Sequence, residues 1–230
     1  MSEQHFNFVD PEQVKAYIQK GPPAFMPGHA GVLQMMAVLL SERMPQDGAV
    51  LVVGAGGGLE TRYLASVEPG WRFTGVDPAG AMLDLARAVA GPAAGDRLTL
   101  IEGTVADAPD GPFEAATCVL VLGLLSDDGS KLDLLQRTHA RLRAGAPFVL
   151  VDQCFDRDAA DFDTRLERYA AFARRSGVSD DVVTEAKGKL RLADSVVPSW
   201  RNEELLDEAG FRDVENFYVG MAWRGWIAYA

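Results

Sequence analysis

Ala49-Val50-Leu51-Val52-Val53-Gly54-Ala55-Gly56-Gly57-Gly58 joins five apolar-run residues to a cluster of glycines. An apolar run stops at a G-x-G-x-G turn, and a short amphipathic segment follows. Nineteen residues past Gly58 stands Asp77, at the end of a second apolar run, Phe73-Thr74-Gly75-Val76. Strand, glycine turn, helix, strand and acid form the layout of a Rossmann-type nucleotide site. Glycine admits a ligand to distances that a Cβ would block, and an acid at the tip of the second strand accepts hydrogen bonds from two ribose hydroxyls.

The spacing narrows the ligand. A dinucleotide fingerprint reads G-x-G-x-x-G, and counting from Gly54 its third glycine falls on Leu59. The chain instead reads G-x-G-x-G, which favours a nucleoside without a pyrophosphate, S-adenosylmethionine (SAM) above all. An NAD-dependent oxidoreductase is the reading that Leu59 counts against.

Outward from this turn the pattern alternates. Strands are expected over 49–53, 71–76, 97–102, 114–121 and 146–152, and helices over 57–66, 78–90 and 128–143. Such alternation predicts an α/β, Rossmann-like, doubly wound, mostly parallel sheet. A helix over 200–209 ending at Gly210, then strands over 213–219 and 221–229, would complete seven strands with an antiparallel hairpin. Residues 1–46 read as a helical cap: one helix from Asp10-Pro11-Glu12 to Lys20, then Gly21–Gly28, which cannot be regular structure, then a helix from His29 to Met44. On that helix Val32, Met35, Met36, Leu39 and Leu40 share a face. Residues 156–192 read as a helical insertion whose stripe of Phe162, Leu166, Tyr169 and Ala173 faces a core, a second copy in a homodimer, or a substrate pocket. The whole, 1–230, is expected to be one domain.

Composition bounds the partners. Net charge is −11, from 22 basic and 33 acidic residues. That opposes general binding to nucleic acid, which draws on Lys and Arg. Arg165, Arg168, Arg174 and Arg175 have Asp161, Asp163 and Glu167 beside them and read as a solvated helix face. No apolar run reaches the roughly 20 residues of a membrane span, and nothing after Met1 reads as a signal peptide, so a cytoplasmic location and a small-molecule substrate are expected. Cys118 and Cys154 lie in apolar runs and read as buried thiols. No Cys/His cluster has metal-ligand spacing, so no metal is expected.

The chain resembles class I SAM-dependent methyltransferases. Gly54-Ala55-Gly56-Gly57-Gly58 is similar to their first motif, and Val76-Asp77-Pro78-Ala79-Gly80-Ala81-Met82-Leu83 to the ribose-binding motif and its helix. Ile101-Glu102-Gly103-Thr104-Val105-Ala106-Asp107 is similar to the adenine-side loop, and Ala146–Val151 to the fifth strand. Met26-Pro27-Gly28-His29, Ser176-Gly177-Val178-Ser179 and the Gly210-Phe211 stretch extend the likeness to the carboxy-SAM synthases, enzymes of tRNA wobble-uridine modification that convert SAM and prephenate into carboxy-SAM. The resemblance implies SAM or S-adenosylhomocysteine, or carboxy-SAM, as ligand. It implies contacts from Gly54, Ala55, Gly56, Gly58, Asp77, Pro78, Met82, Thr104, Val105 and Val119. Relative to the carboxy-SAM synthases, His29 stands for a ligand-contacting tyrosine, Thr104 for an aspartate, Val119 for an asparagine and Lys187 for the arginine that would hold the extra carboxylate. Relative to most class I enzymes, Val52 stands where an acid anchors the methionine end of the cofactor.

Methyl transfer needs little protein chemistry beyond alignment and exclusion of water, so the absence of a catalytic dyad is compatible with it. His29 is a candidate base or donor, or else a helix-entry residue held by packing. Lys187 is a candidate carboxylate partner, or else an exposed helix lysine. Asp77 also suits a helix N-cap, since Pro78 follows it. His5 and His139 read as surface residues. Trp200, Phe217, Tyr218, Trp223 and Trp226 read as core packing of the last strands or as a pocket wall. A methyltransferase of a small molecule is the first reading. A carboxy-SAM synthase-like enzyme and a non-catalytic SAM-binding protein are the alternatives.

Overall fold

A computed structural model describes residues 21–230. The helix expected up to Lys20 and His5 lie outside the described residues. The elements run α1 (Pro22–Phe25), α2 (His29–Ser41), β1 (Ala49–Val53), α3 (Leu59–Val67), β2 (Arg72–Asp77), α4 (Gly80–Ala94), β3 (Leu98–Glu102) and β4 (Ala115–Val119). There follow α5 (Ser130–His139), β5 (Pro147–Gln153), α6 (Phe162–Arg175), α7 (Asp180–Leu192), α8 (Ser199–Ala209), β6 (Arg212–Gly220) and β7 (Trp223–Tyr229).

The seven strands form one sheet in the order β3-β2-β1-β4-β5-β7-β6. Strands β1 to β5 are parallel, while β7 runs antiparallel to β5 and to β6. The order reverses between β1 and β4, and a crevice opens at the carboxyl ends of the strands there. Apolar residues cover both faces, as a parallel sheet flanked by helices requires. Val50, Val52, Phe73, Val149, Val151 and Ile227 pack on one face with α2, α3, α6 and α7. Leu51, Val53, Ala116, Cys118, Phe148, Leu150 and Trp226 pack on the other, with Leu135 of α5 and Leu205 and Leu206 of α8.

Several boundaries differ from the sequence reading. The stretch 21–28 holds one helical turn, α1, because Pro22 supplies a helical φ and needs no N–H partner. Helix α2 ends at Ser41 rather than Met44. Its buried stripe is Val32, Leu33, Met36, Ala37 and Leu40, and Met35 faces outward at 36% exposure. Helix α4 continues past Pro92 to Ala94, held by the buried Ala90 and Ala94. The stripe of α6 is confirmed as packing: Leu166, Tyr169 and Ala173 are buried. Tyr169 stacks on Phe25 of α1, ring centres 5.4 Å apart, and lies 6.4 Å from Trp223. His139 is half-buried, edge-on to Phe211, rather than a free surface group. No described helix is long and apolar enough to cross a membrane.

Candidate functional site

The turn after β1 is built by its neighbours. Gly54 and Ala55 both donate their backbone N–H to Val76 O of β2, each at 2.9 Å. This bends the chain back over the sheet before α3 begins. Gly54 (φ +71°) has no room for a side chain, since a Cβ would collide with Val121 of the loop after β4. Gly58 (φ +73°) brings the head of α3 against α4, where a Cβ would stand 2.9 Å from Ala86 Cα. Gly56 (φ +43°) differs: a Cβ there would make only ordinary van der Waals contacts, at 3.5 Å or more, with Gly54 O, Met82 Cε and Asp77 Oδ2. Gly54 and Gly58 therefore serve packing, whereas Gly56 is glycine without a steric clash to avoid, its left-handed backbone apart.

Asp77 ends β2 and binds two backbone groups. Its Oδ2 accepts the Gly56 N–H at 3.0 Å, and its Oδ1 accepts the Ala79 N–H at 2.9 Å. The N-cap reading of Asp77 is corrected by this geometry. Helix α4 begins at Gly80 with Ala79 as its cap, and Asp77 closes a turn before it. Burial pushes the Asp77 carboxyl upward, and the Ala79 and Gly56 hydrogen bonds oppose that shift. Each oxygen keeps further acceptor capacity, which two vicinal hydroxyls would use.

Beyond Asp77 lie the residues expected on the adenine side. Met82 and Leu83 are buried on α4, and Val105 is buried after β3. Thr104 is exposed and caps a short 3₁₀ turn, 105–107. Its Oγ1 accepts the Ala106 N–H, and Asp107 returns a carboxylate to the Thr104 N–H at 2.8 Å. Pro78 is exposed next to Asp77.

On the opposite side of the glycine turn, a shallow cleft is lined by Pro22, His29 and Leu33, by Gly54–Glu60, and by Val119 and Leu120. Sequence reasoning placed Gly54, Ala55, Gly56, Gly58, His29 and Val119 in the site, and the structure brings all six to this cleft. Burial and the nearby Arg62 push the His29 imidazole below its ordinary range, so it stays neutral at pH 7. The cap that carries Pro22 and His29 is pinned by the C-terminal hairpin. Trp223 Nε1 donates to Phe25 O at 2.9 Å, and Tyr218 Oη donates to Pro27 O. Those two aromatics thus do more than pack. Trp226 lies on the other sheet face, donating to Glu203, and Trp200 is 55% exposed.

Lys187 is not among the residues that line the cleft. It stands on α7 and pairs with Glu167 of α6. Arg165 and Arg174 are likewise paired, with Asp161 and Asp180. Cys118 and Cys154 are buried free thiols whose titration burial pushes up. Among the described residues, no group of three or more His, Cys, Asp or Glu is placed to hold a metal ion.

Three buried ionisable residues, Glu60, Lys131 and Asp152, were not picked out from the sequence. Glu60, in the first turn of α3, is 8% exposed and lines the cleft. Thr117 Oγ1 of β4 donates to its Oε1 at 2.7 Å. Its signal was available in the helix register, since Glu60 stands one turn from the buried Leu64. Lys131, fully buried on α5, donates to Leu122 O, and Asp152 accepts the Gly123 N–H at 2.8 Å. Together they clamp the loop that follows β4.

Comparison with known proteins agrees with this geometry. Residues 51–148 match the model of a methyltransferase domain. The chain is 27% identical to a carboxy-S-adenosyl-L-methionine synthase from Chromohalobacter salexigens, over 97% of this chain and 83% of that protein. It is also 27% identical to a protein of the same name from Wolinella succinogenes, over 88% and 85%. Among solved structures, a SAM-dependent methyltransferase from Aquifex aeolicus superposes with a TM-score of 0.64 at 16% identity, covering 96% of this chain and 98% of that one. Human N-acetylserotonin methyltransferase, solved with SAM, superposes with a TM-score of 0.57 at 17% identity, over 96% and 60%. Residues 51–148 thus match a methyltransferase domain, the fold is that of SAM-dependent methyltransferases, and the chain as a whole is similar to carboxy-SAM synthases.

Proposed function

We propose that this enzyme transfers the methyl group of SAM to a small molecule. The observation that carries the reading is the union of the Gly54–Gly58 turn and Asp77, tied by the Gly56 N–H and set beside a cleft at the switch point of the sheet. The residues fit the cofactor. Gly56 adds no side chain beside Asp77 Oδ2, and Asp77 has acceptor capacity for the ribose. Pro78, Met82, Thr104 and Val105 would border the adenine, and Gly54, Ala55, Gly58 and Val119 the methionine portion.

SAM, when bound, supplies a methyl carbon already activated by its sulfonium. The protein positions the acceptor in line with that carbon and excludes water. The cap over the cleft serves the second task, with Pro22 and Leu33 as apolar cover. His29, neutral and inside the cleft, accepts the proton of an acceptor that must lose one. Native mass spectrometry followed by titration calorimetry tests the reading. SAM or S-adenosylhomocysteine is expected as the retained or tightest ligand, and no binding of either would refute it.

The second reading is a carboxy-SAM synthase-like activity, favoured by likeness to such proteins over 97% of the chain. Competition between SAM and carboxy-SAM separates the two, since a strong preference for carboxy-SAM selects the second. A non-catalytic SAM-binding protein would bind ligand and transfer nothing.

The chain acts as one domain, 1–230, with 1–46 as a cap and 156–192 as a helical insertion. The −11 charge and the pairing of Arg165 and Arg174 with acids support a small-molecule partner over nucleic acid, in the cytoplasm. A homodimer is compatible with it, and sedimentation would settle the state.

A further inference from the structure

Val52 sits where most class I methyltransferases carry an acid, and it is wholly buried in β1. A valine there leaves the cofactor's ammonium group without a carboxylate from the strand. Yet a carboxyl group does reach the neighbouring position on the same sheet face by another route. Val52 pairs in register with Thr117 of the adjacent strand. Thr117 Oγ1 donates to Glu60, which descends onto that sheet face from the first turn of α3. Glu60 is 8% exposed, and what it exposes opens into the cleft between the glycine turn and Val119. A buried carboxyl with a single hydrogen bond to a hydroxyl is costly to keep unless a cation completes it.

We propose that Glu60 replaces the missing strand acid and binds the ammonium group of the methionine portion of the cofactor. The acid has moved eight residues along the chain, from the strand before the glycine turn to the helix after it, while staying on one sheet face. The proposal rests on the SAM reading above and adds the residue that holds the amino-acid end. It also carries a proton signature. Burial pushes the free Glu60 carboxyl up to about 8, so it is mostly protonated at pH 7. An ammonium group favours the carboxylate, and binding must expel that proton. The other ionisable groups around the cleft are His29 of α2, Arg62 of α3, Asp77 of β2 and Cys118 of β4. A comparison with a Glu60 variant removes their common contribution.

The test is calorimetry of wild type and Glu60→Gln at pH 6.5 and 7.5, in buffers of different ionisation enthalpy. The ligands are S-adenosylhomocysteine, which has the ammonium group, and 5′-methylthioadenosine, which lacks it. Glutamine keeps an acceptor for Thr117. Wild type is expected to release close to one proton on binding S-adenosylhomocysteine and to bind it more tightly at the higher pH. Glu60→Gln should release almost none and bind it about 10- to 100-fold more weakly, the loss of one charge-assisted hydrogen bond. Its affinity for 5′-methylthioadenosine should match wild type, which also certifies that the nucleoside site is intact. Equal S-adenosylhomocysteine affinity, the same proton release, or equal weakening of both ligands overturns the assignment of Glu60. Failure of wild type to bind either ligand overturns the cofactor reading itself.

Discussion

Asp77 Oδ2 accepts the backbone N–H of Gly56 at 3.0 Å, joining the end of β2 to the middle of the glycine turn. The acid expected to meet the ribose is therefore also a fastener of the loop proposed to receive the cofactor. Asp77→Ala removes both functions. S-adenosylhomocysteine affinity is expected to fall by about 2–4 kcal/mol, the worth of two charge-assisted hydrogen bonds. Asp77→Asn retains one oxygen acceptor and should fall between. Calorimetry on folded variants is the check, and an unaltered affinity in Asp77→Ala would contradict the assignment.

The glycines of the turn should separate by substitution. Gly58→Ala sets a Cβ 2.9 Å from Ala86 Cα at a positive φ, so it is expected to cost about 2–4 kcal/mol of stability. Gly56→Ala meets nothing closer than 3.5 Å and should lose only about 1–2 kcal/mol from its left-handed backbone, while binding suffers. Urea denaturation read beside ligand affinity distinguishes a packing glycine from a ligand-facing one. Equal stability losses would erase that distinction.

The sheet and the glycine–acid pair were legible because both are written in local pattern: apolar runs, glycine spacing and a distance along one chain. Seven strands, their parallel majority and the final hairpin follow from such runs. Residues joined only by tertiary contact were not legible. Glu60 reads as an ordinary first-turn acid until Thr117, 57 residues away, meets it under α3. Trp223 and Tyr218 read as strand aromatics until their polar atoms reach Phe25 O and Pro27 O, 198 and 191 residues back. Lys187 shows the reverse. The family position suggested a ligand contact, and the structure gives its ammonium to Glu167.

The hairpin-to-cap hydrogen bonds should govern how long a ligand stays. Tyr218→Phe and Trp223→Phe each remove one bond to the cap, worth about 0.5–1.5 kcal/mol. Both should loosen the segment that carries Pro22 and His29 over the cleft. Stopped-flow release of S-adenosylhomocysteine is expected to quicken severalfold in each variant, more in the double variant. Unchanged release with lowered stability would make these bonds structural only.

Lys187→Ala breaks a half-exposed pair and should cost no more than about 1 kcal/mol. SAM affinity is expected to stay as in wild type, since Lys187 does not line the cleft. Carboxy-SAM is the discriminating ligand. A selective loss of its binding in Lys187→Ala, recovered in Lys187→Arg, would mean that Lys187 reaches the ligand after all and would favour the carboxy-SAM reading.

Glu60 also makes stability depend on pH in a direction unusual for a carboxylate. In the unfolded chain its carboxyl titrates near 4.5, and in the fold burial raises it to about 8. Between those values the unfolded state has given up the proton and the folded state keeps it. Stability from this group is therefore full below about 4.5, declines as pH rises, and is lost above about 8. The decline is on the order of 1 kcal/mol per pH unit. Glu60→Gln has no proton to lose and escapes it. Denaturation at pH 5, 6.5 and 8 should show the variant gaining on wild type at each step, with no further gain above the folded value. S-adenosylhomocysteine should narrow the gap at pH 8, because its ammonium group stabilises the ionised carboxylate of wild type alone. A constant difference between the two proteins across this range would mean that Glu60 is ionised in the free fold and would remove the proton signature expected on binding.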